Sequence, residues 1–145
     1  MKIEVFSLDP GHLLNFRGRI PTNIFDNSER DGFYTVGAVV NESGEVSLIG
    51  LAQFFVDMNR SGECYAELVH IYVFDEYRRK GAGTGLTDKI MSIIGKSGMK
   101  KCIAKVPAEG DERLKISPKD LEAFLIESDF LFAKATGTYV RMTDD

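Results

Sequence analysis

Cysteine is scarce in this 145-residue chain, and the two present, Cys64 and Cys102, stand in no CxxC or Cys/His spacing. Nothing here reads as a zinc site or a disulfide framework; two buried free thiols in a reducing compartment, and no metal, are the expectation. No apolar run is long enough to cross a bilayer, and Met1-Lys2-Ile3-Glu4 opens no signal peptide. A cytoplasmic protein without a membrane partner is therefore expected. Positive charge is not in excess either: the formal net charge is −4, which argues against nonspecific binding to DNA or RNA. Repeats, low-complexity tracts and interdomain linkers are also missing. The expectation is one domain over residues 1–145, close to the commonest domain size and long enough to bury a sizeable core.

What the chain does have is a stretch at its middle, from Tyr65 to Leu86, with an unusual order of parts. Leu68, Val69, Ile71, Tyr72 and Val73 make a nearly continuous apolar run of strand length, as expected of a strand buried on both faces. Arg78-Arg79-Lys80-Gly81-Ala82-Gly83-Thr84-Gly85 follows, and then Leu86, Ile90, Ile93 and Ile94 recur at helical spacing. Buried strand, basic glycine-rich loop and helix N-terminus thus come in that order. The first turn of a helix offers unpaired N–H groups and partial positive charge, and glycine lets an anion approach the backbone. The ligand so described is a phosphate, and best a pyrophosphate. A Walker loop is excluded because the lysine precedes the glycines; a dinucleotide fingerprint is excluded by Gly81-x-Gly83-x-Gly85, with leucine at the last required place. The plain alternative is a solvated basic turn that caps the helix.

Around this stretch, Lys2 to Leu8 alternates as a first strand with one wet face, and Asp9-Pro10-Gly11 ends it. Leu13 to Ile20 reads as a short helix stopped by Pro21, and Thr22 to Asp31 as a polar segment anchored by Ile24 and Phe25. Asn15, Asp26, Asn27 and Glu29 are candidates for touching a substrate, each weighed against a solvated loop. Gly32–Val40 and Glu45–Val56 are two strands joined by the Asn41–Gly44 hairpin, and Asn59–Gly62 turns the chain into the central strand. Lys100–Val106 is a short strand after the Gly98 helix end, and the strand–helix–strand crossover makes that pair parallel. Pro107–Lys115 reads as a loop. Ser117-Pro118-Lys119-Asp120 starts a last helix, with Leu121, Phe124, Leu125 and Ser128 on one face, before two terminal strands.

The six residues Arg78-Arg79-Lys80-Gly81-Ala82-Gly83 fit Arg/Gln-x-x-Gly-x-Gly/Ala, and with their flanking strand and helix they resemble the acyl-CoA signature of the GNAT N-acetyltransferase superfamily. The resemblance implies an α/β fold with a mixed, mostly antiparallel sheet, helices on both faces and an acyl-CoA site at a splay between the central strands. It implies acetyl-CoA as acyl donor, with Arg78, Arg79, Lys80, Gly81, Ala82, Gly83 and Thr84 at the pyrophosphate. The backbone of Ile71, Tyr72 and Val73 would lie along the pantetheine arm, next to a strand bulge that no glycine marks here. An acceptor amine with a pKa near ~10 must then lose a proton.

Glu67 is the candidate base. It stands fourteen positions before Gly81, the interval of a catalytic glutamate in the histone-acetyltransferase branch, and an apolar strand would raise its pKa. The alternative is a Glu67 that merely faces water. His70 is a second candidate, on the opposite face if the strand is regular. The family's tyrosine acid falls on Leu125, so water, Tyr139 or Tyr72 would have to replace it, or the thiolate leaves unprotonated. Tyr77 is read as a support for the basic loop. The expected partner is a small-molecule or peptide amine, and the last strands offer edges for a homodimer. A noncatalytic acyl-CoA-binding module is the alternative to an N-acetyltransferase, and a nucleotide-binding protein a third reading.

Overall fold

The computed structural model describes residues 2–15, 22–107 and 117–144. Its elements run β1 (Ile3–Leu8), α1 (Pro10–Leu14), α2 (Thr22–Ser28), β2 (Phe33–Glu42), β3 (Glu45–Met58), β4 (Cys64–Val73), a 3-10 turn (Asp75–Tyr77), α3 (Ala82–Lys96), β5 (Lys101–Ala104), α4 (Pro118–Glu127), β6 (Leu131–Ala133) and β7 (Thr138–Met142).

Local turn chemistry lays down the first half of the sheet. Ser43 (φ 53°) and Gly44 (φ 82°) join β2 to β3 as a two-residue hairpin, and positive φ at both positions matches the strands' right-handed twist. At the next turn the Asn59 carboxamide oxygen accepts the N–H groups of Ser61 and Glu63 and reverses the chain into β4. The order across the sheet is β1-β2-β3-β4-β5-β7-β6, antiparallel throughout except for β4 beside β5. That parallel pair is the one joined through α3, as a crossover requires.

A separate core forms on each face of the sheet. On one face α3 and α4 cover Val36, Ala38, Ile49, Ala52, Phe54, Ala66, Leu68 and Ile71. On the other, Leu13 of α1 and Ile24 of α2 close over Leu48, Leu51 and Phe74. Packing rather than propensity holds α3: Gly83, Gly85 and Gly95 each weaken a helix by up to ~1 kcal/mol, whereas Leu86, Ile90 and Ile94, almost wholly buried, contribute about 1.5–3 kcal/mol apiece. The helix ends where expected, with Gly98 at φ 84° and the Met99 N–H returning to the Ile94 carbonyl. At α4 the Ser117 hydroxyl accepts the Asp120 N–H, Pro118 opens the helix, and Leu125 and Ser128 lie buried on one face.

Two expectations are corrected. The first helix begins at Pro10, because Asp9 caps it: its carboxylate accepts the His12 N–H while the His12 ring accepts the Asp9 N–H. Asp9-Pro10-Gly11 therefore starts α1 as well as ending β1, and the remainder of the expected Leu13–Ile20 helix lies outside the described residues from 16 on. Nor are both thiols buried: Cys102 is, but Cys64 is exposed at the start of β4. Ile24 is the core anchor expected of it, whereas the Phe25 side chain lies outside the described residues. Among the described residues no helix is long and apolar enough to cross a membrane.

The two cysteines should respond very differently to a thiol reagent. Burial pushes the Cys102 thiol up to about 12, so it holds almost no thiolate at pH 8. One equivalent should react in the native protein, mapping to Cys64 by mass spectrometry, and the second only after unfolding. Rapid native labelling of both would contradict the packing of β5.

Candidate functional site

β4 and β5 pair over only three positions, Ala66 with Cys102, Glu67 with Ile103 and Leu68 with Ala104. β5 then ends while β4 runs on to Val73, so from Val69 onward β4 has a strand neighbour only on its β3 side among the described residues. On that side too the register breaks. Gln53 stands opposite His70 and Phe54 opposite Leu68, which leaves Val69 as an extra residue. This is a β-bulge, and no glycine in the sequence announces it.

The bulge decides which side chains share a face. In a regular strand Glu67 and His70 would point opposite ways, as expected from alternation. The extra residue cancels one step: Leu68 and Ile71 both enter the α3 face, and Glu67, His70 and Tyr72 all fall on the α2 face. The bulge also settles the backbone. The Phe74 N–H donates to the Ile49 carbonyl on β3, so alternation turns the N–H and C=O groups of Ile71 and Val73 toward the open side.

At the wide end of the opening sits the N-terminus of α3. Gly81 is its N-cap, at φ 89° and ψ 0°, with no side-chain cap, and the first helical bond runs from the Gly85 N–H to the Gly81 carbonyl. The N–H groups of Ala82, Gly83 and Thr84 precede that bond and have no place in the helical ladder. The three glycines do different work here. Gly81 supplies the left-handed conformation, and a Cβ there would meet nothing. A Cβ on Gly83 would lie 2.6 Å from Cε1 of Phe124, so this glycine lets α4 approach α3. Gly85 is in ordinary contact range of Val5 on β1. Of the three, only Gly81 stands where a Cβ would meet nothing within 4 Å.

Of the basic residues, Arg78 is turned back on the strand: its Nε donates to the Val73 carbonyl at 3.0 Å. Arg79 and Lys80 are exposed beside the loop, Arg79 with a left-handed φ of 62° and Lys80 over the ring of Tyr77 at 5.9 Å. Tyr77 itself packs against both cores and so supports the loop from below.

At the narrow end is Glu67. Its side chain is 26% exposed and its Oε1 lies 3.3 Å from Nζ of Lys105, the residue that follows β5. The wholly apolar setting assumed from the sequence is thus not what surrounds it; a cation is. Lys105 is 66% exposed, and an ion pair that open to water contributes ~0.2–1 kcal/mol, too little to lock either side chain in place.

Beside His70 runs a polar chain through Asn27, a candidate from the sequence, to Gln53 and Thr35, which the sequence analysis missed. Gln53, fully buried, donates to the Ile24 carbonyl at 3.0 Å and to the Thr35 hydroxyl at 3.1 Å, and accepts from the Asn27 amide at 3.1 Å. The same Asn27 nitrogen lies 3.5 Å from His70 Nε2. The available signal was one amide within the otherwise apolar run Leu51-Ala-Gln-Phe-Phe-Val56, since a buried polar group must find partners. Of the other candidates, Asn15, Asp26 and Glu29 are exposed. Tyr139 is buried in the α3-face core, its ring 5.3 Å from that of Phe132, away from Glu67. Of the two tyrosines named as substitute acids Tyr72 is the one on Glu67's face, which Tyr65 shares by alternation, and Leu125, fully buried, offers no proton.

Residues 6–115 match the family model described as the acetyltransferase (GNAT) family. The fold resembles that of Arabidopsis thaliana NAA60, solved with a bisubstrate analogue: TM-score 0.67, 13% identity, 99% of each chain covered. It also resembles a GNAT-family acetyltransferase from Staphylococcus aureus Mu50 (TM-score 0.65, 12% identity, 99% of this chain and 100% of that one). A third likeness is the ribosomal-protein-alanine N-acetyltransferase of Brucella melitensis biovar Abortus 2308 (TM-score 0.60, 18% identity, 74% and 82%). At such identities the likeness is one of fold. No protein of curated function is significantly similar in sequence.

The unequal glycines can be told apart by alanine substitution. Gly85→Ala should be neutral or stabilising by up to about 1 kcal/mol, since it removes a helix-interior glycine at no steric cost. Gly83→Ala should lose about 1–2 kcal/mol net, because displacing the Phe124 ring outweighs that gain. Urea midpoints at unchanged m-value measure both; equal effects would show that α4 does not rest on Gly83.

Proposed function

This chain belongs to the GNAT acetyltransferase family, whose members transfer an acetyl group to an amine and in general use acetyl-CoA; we propose that it is an N-acetyltransferase with its acyl donor lying in the β4–β5 splay. The carrying observation is that one opening has a bare helix N-terminus at its wide end and a carboxylate at its narrow end. In this reading the pyrophosphate of acetyl-CoA sits on the N–H groups of Gly81, Ala82, Gly83 and Thr84, with Arg79 and Lys80 adding charge and Arg78 bracing the strand. The pantetheine arm lies along Ile71, Tyr72 and Val73 and pairs with backbone groups of Ile71 and Val73 as a strand would. The thioester then reaches the bulge, near Glu67.

Glu67 acts as the base. A protonated amine meets its carboxylate on the α2 face, gives up a proton, and attacks the thioester carbonyl directly. Developing oxyanion charge is met by strand N–H groups on the open side. Leu125 cannot act as an acid, and Tyr139, buried in the α3-face core, stands away from Glu67. The thiolate, with an ordinary thiol pKa near ~8.5, leaves without a protein acid, and the amine's second proton passes to it directly or through water. The acceptor is a small-molecule or peptide amine, consistent with the chain's net charge of −4. A second reading, an acyl-CoA-binding module without turnover, draws on the same Leu125 and on the Glu67 ion pair.

Two measurements separate these readings. CoA should raise the melting temperature, and Arg79→Ala with Lys80→Ala should lower that shift. Glu67→Gln should keep the CoA shift and lose about 10²–10⁴-fold in CoA release from acetyl-CoA with an amine panel. CoA binding without release in the wild-type protein would leave the binding module standing; an unmoved melting temperature would remove both.

A further inference from the structure

The amine that Glu67 holds in this structure is the protein's own. Lys105 is the first residue beyond the last β4–β5 pair, Leu68 with Ala104. The Ala104 side chain enters the α3-face core, so alternation carries Lys105 to the other face, where Glu67 lies. The contact is direct, Nζ to Oε1 at 3.3 Å, and Lys105 is open enough to water for its ammonium to move. Lys101, four residues earlier on the same face, is the natural comparison: its Nζ stands over the ring of Tyr65 at 5.6 Å instead.

We propose that Lys105 is an acceptor for this protein's own acetyl transfer, modified at Nζ from acetyl-CoA bound in the same chain. The proposal rests on the placement of acetyl-CoA in the splay set out above. The Glu67 carboxylate takes one proton from the Lys105 ammonium. The freed lone pair attacks the thioester carbonyl; the C–N bond forms and the C–S bond breaks. The second amine proton goes with the departing thiolate, giving CoA thiol and an N-acetyl-lysine, and Glu67 returns its proton to water. Two features favour this amine over other surface lysines: it is tethered beside the reacting carbon, and it is already paired with the base. Acetylation removes the positive charge, so the modified chain presents Glu67 without its cation and leaves that position to an incoming amine.

The test is to incubate the full chain with acetyl-CoA and no added amine, following intact mass and peptide maps with time. Lys105 should gain one acetyl group about a hundredfold faster than Lys101, at a rate independent of protein concentration. Glu67→Gln should bring Lys105 down to the Lys101 rate, and Lys105→Arg should abolish the fast increment. Equal rates at the two lysines, an unchanged rate in Glu67→Gln, or a rate that rises with protein concentration would overturn the proposal. A CoA thermal shift on the same samples separates the failures. A shift without fast Lys105 modification sinks this inference alone, whereas no shift and no fast modification sinks it together with the CoA placement.

Discussion

A strand pair that stops pairing is the constraint on which the rest of the structure depends. β5 supplies only four residues and β4 supplies ten, so the parallel ladder ends at Leu68 and Ala104. Unpaired strand backbone is costly unless something else satisfies it. The chain meets part of that demand itself, through the Arg78 Nε–H on the Val73 carbonyl. Among the described residues, the remainder on Ile71 and Val73 has no strand beside it. Because α3 leaves this same strand through a tight loop, its N-terminus necessarily lies at the wide end. Geometry that would be a defect in an ordinary sheet thus places a carboxylate, backbone without a strand neighbour and a helix N-terminus in succession along one strand and the loop after it.

The two faces divide the labour. On the α3 face, Leu86, Ile90 and Ile94 pack against small and branched residues of β2, β3 and β4, and this core holds the sheet in shape. On the α2 face the apolar cluster is smaller, and the polar side chains Gln53, Asn27, His70 and Glu67 lie beside it. The bulge at Val69 makes the division possible. It lets Leu68 and Ile71 both serve the first core while Glu67 and His70 both remain on the second face. Had the strand been regular, both pairs would have been split.

Most of the architecture was legible because it rests on short-range signals. Ser43-Gly44, Asn59–Gly62, Gly98 and Ser117-Pro118 each act through a local hydrogen bond or a positive φ, and each stands where the sequence places it. The basic loop leading into α3 was legible for the same reason. What was not legible depends on contacts between distant residues. The bulge follows from how β4 meets β3 and has no marker in its own strand. Gly83 is fixed by Phe124, some forty residues later, so its role could not be told from that of Gly81 by composition alone. The Lys105 ion pair arises because β5 ends where it does, and Gln53 looks like an ordinary strand residue until α2 is laid over it. The start of α1 was missed on local grounds: Asp9 and Pro10 can end a strand or begin a helix, and here they do both.

Gln53 has a consequence for how tightly the α2 face is defined. Its one amide group joins β3 to β2 through Thr35 and to α2 through both Ile24 and Asn27, deep enough that water could not easily take over any of these bonds. Shifting α2 would strand several polar groups at once, so intermediate positions of the helix are disfavoured. A molecule arriving on that face therefore meets a wall whose ordering entropy was already lost during folding, and little more is surrendered on contact.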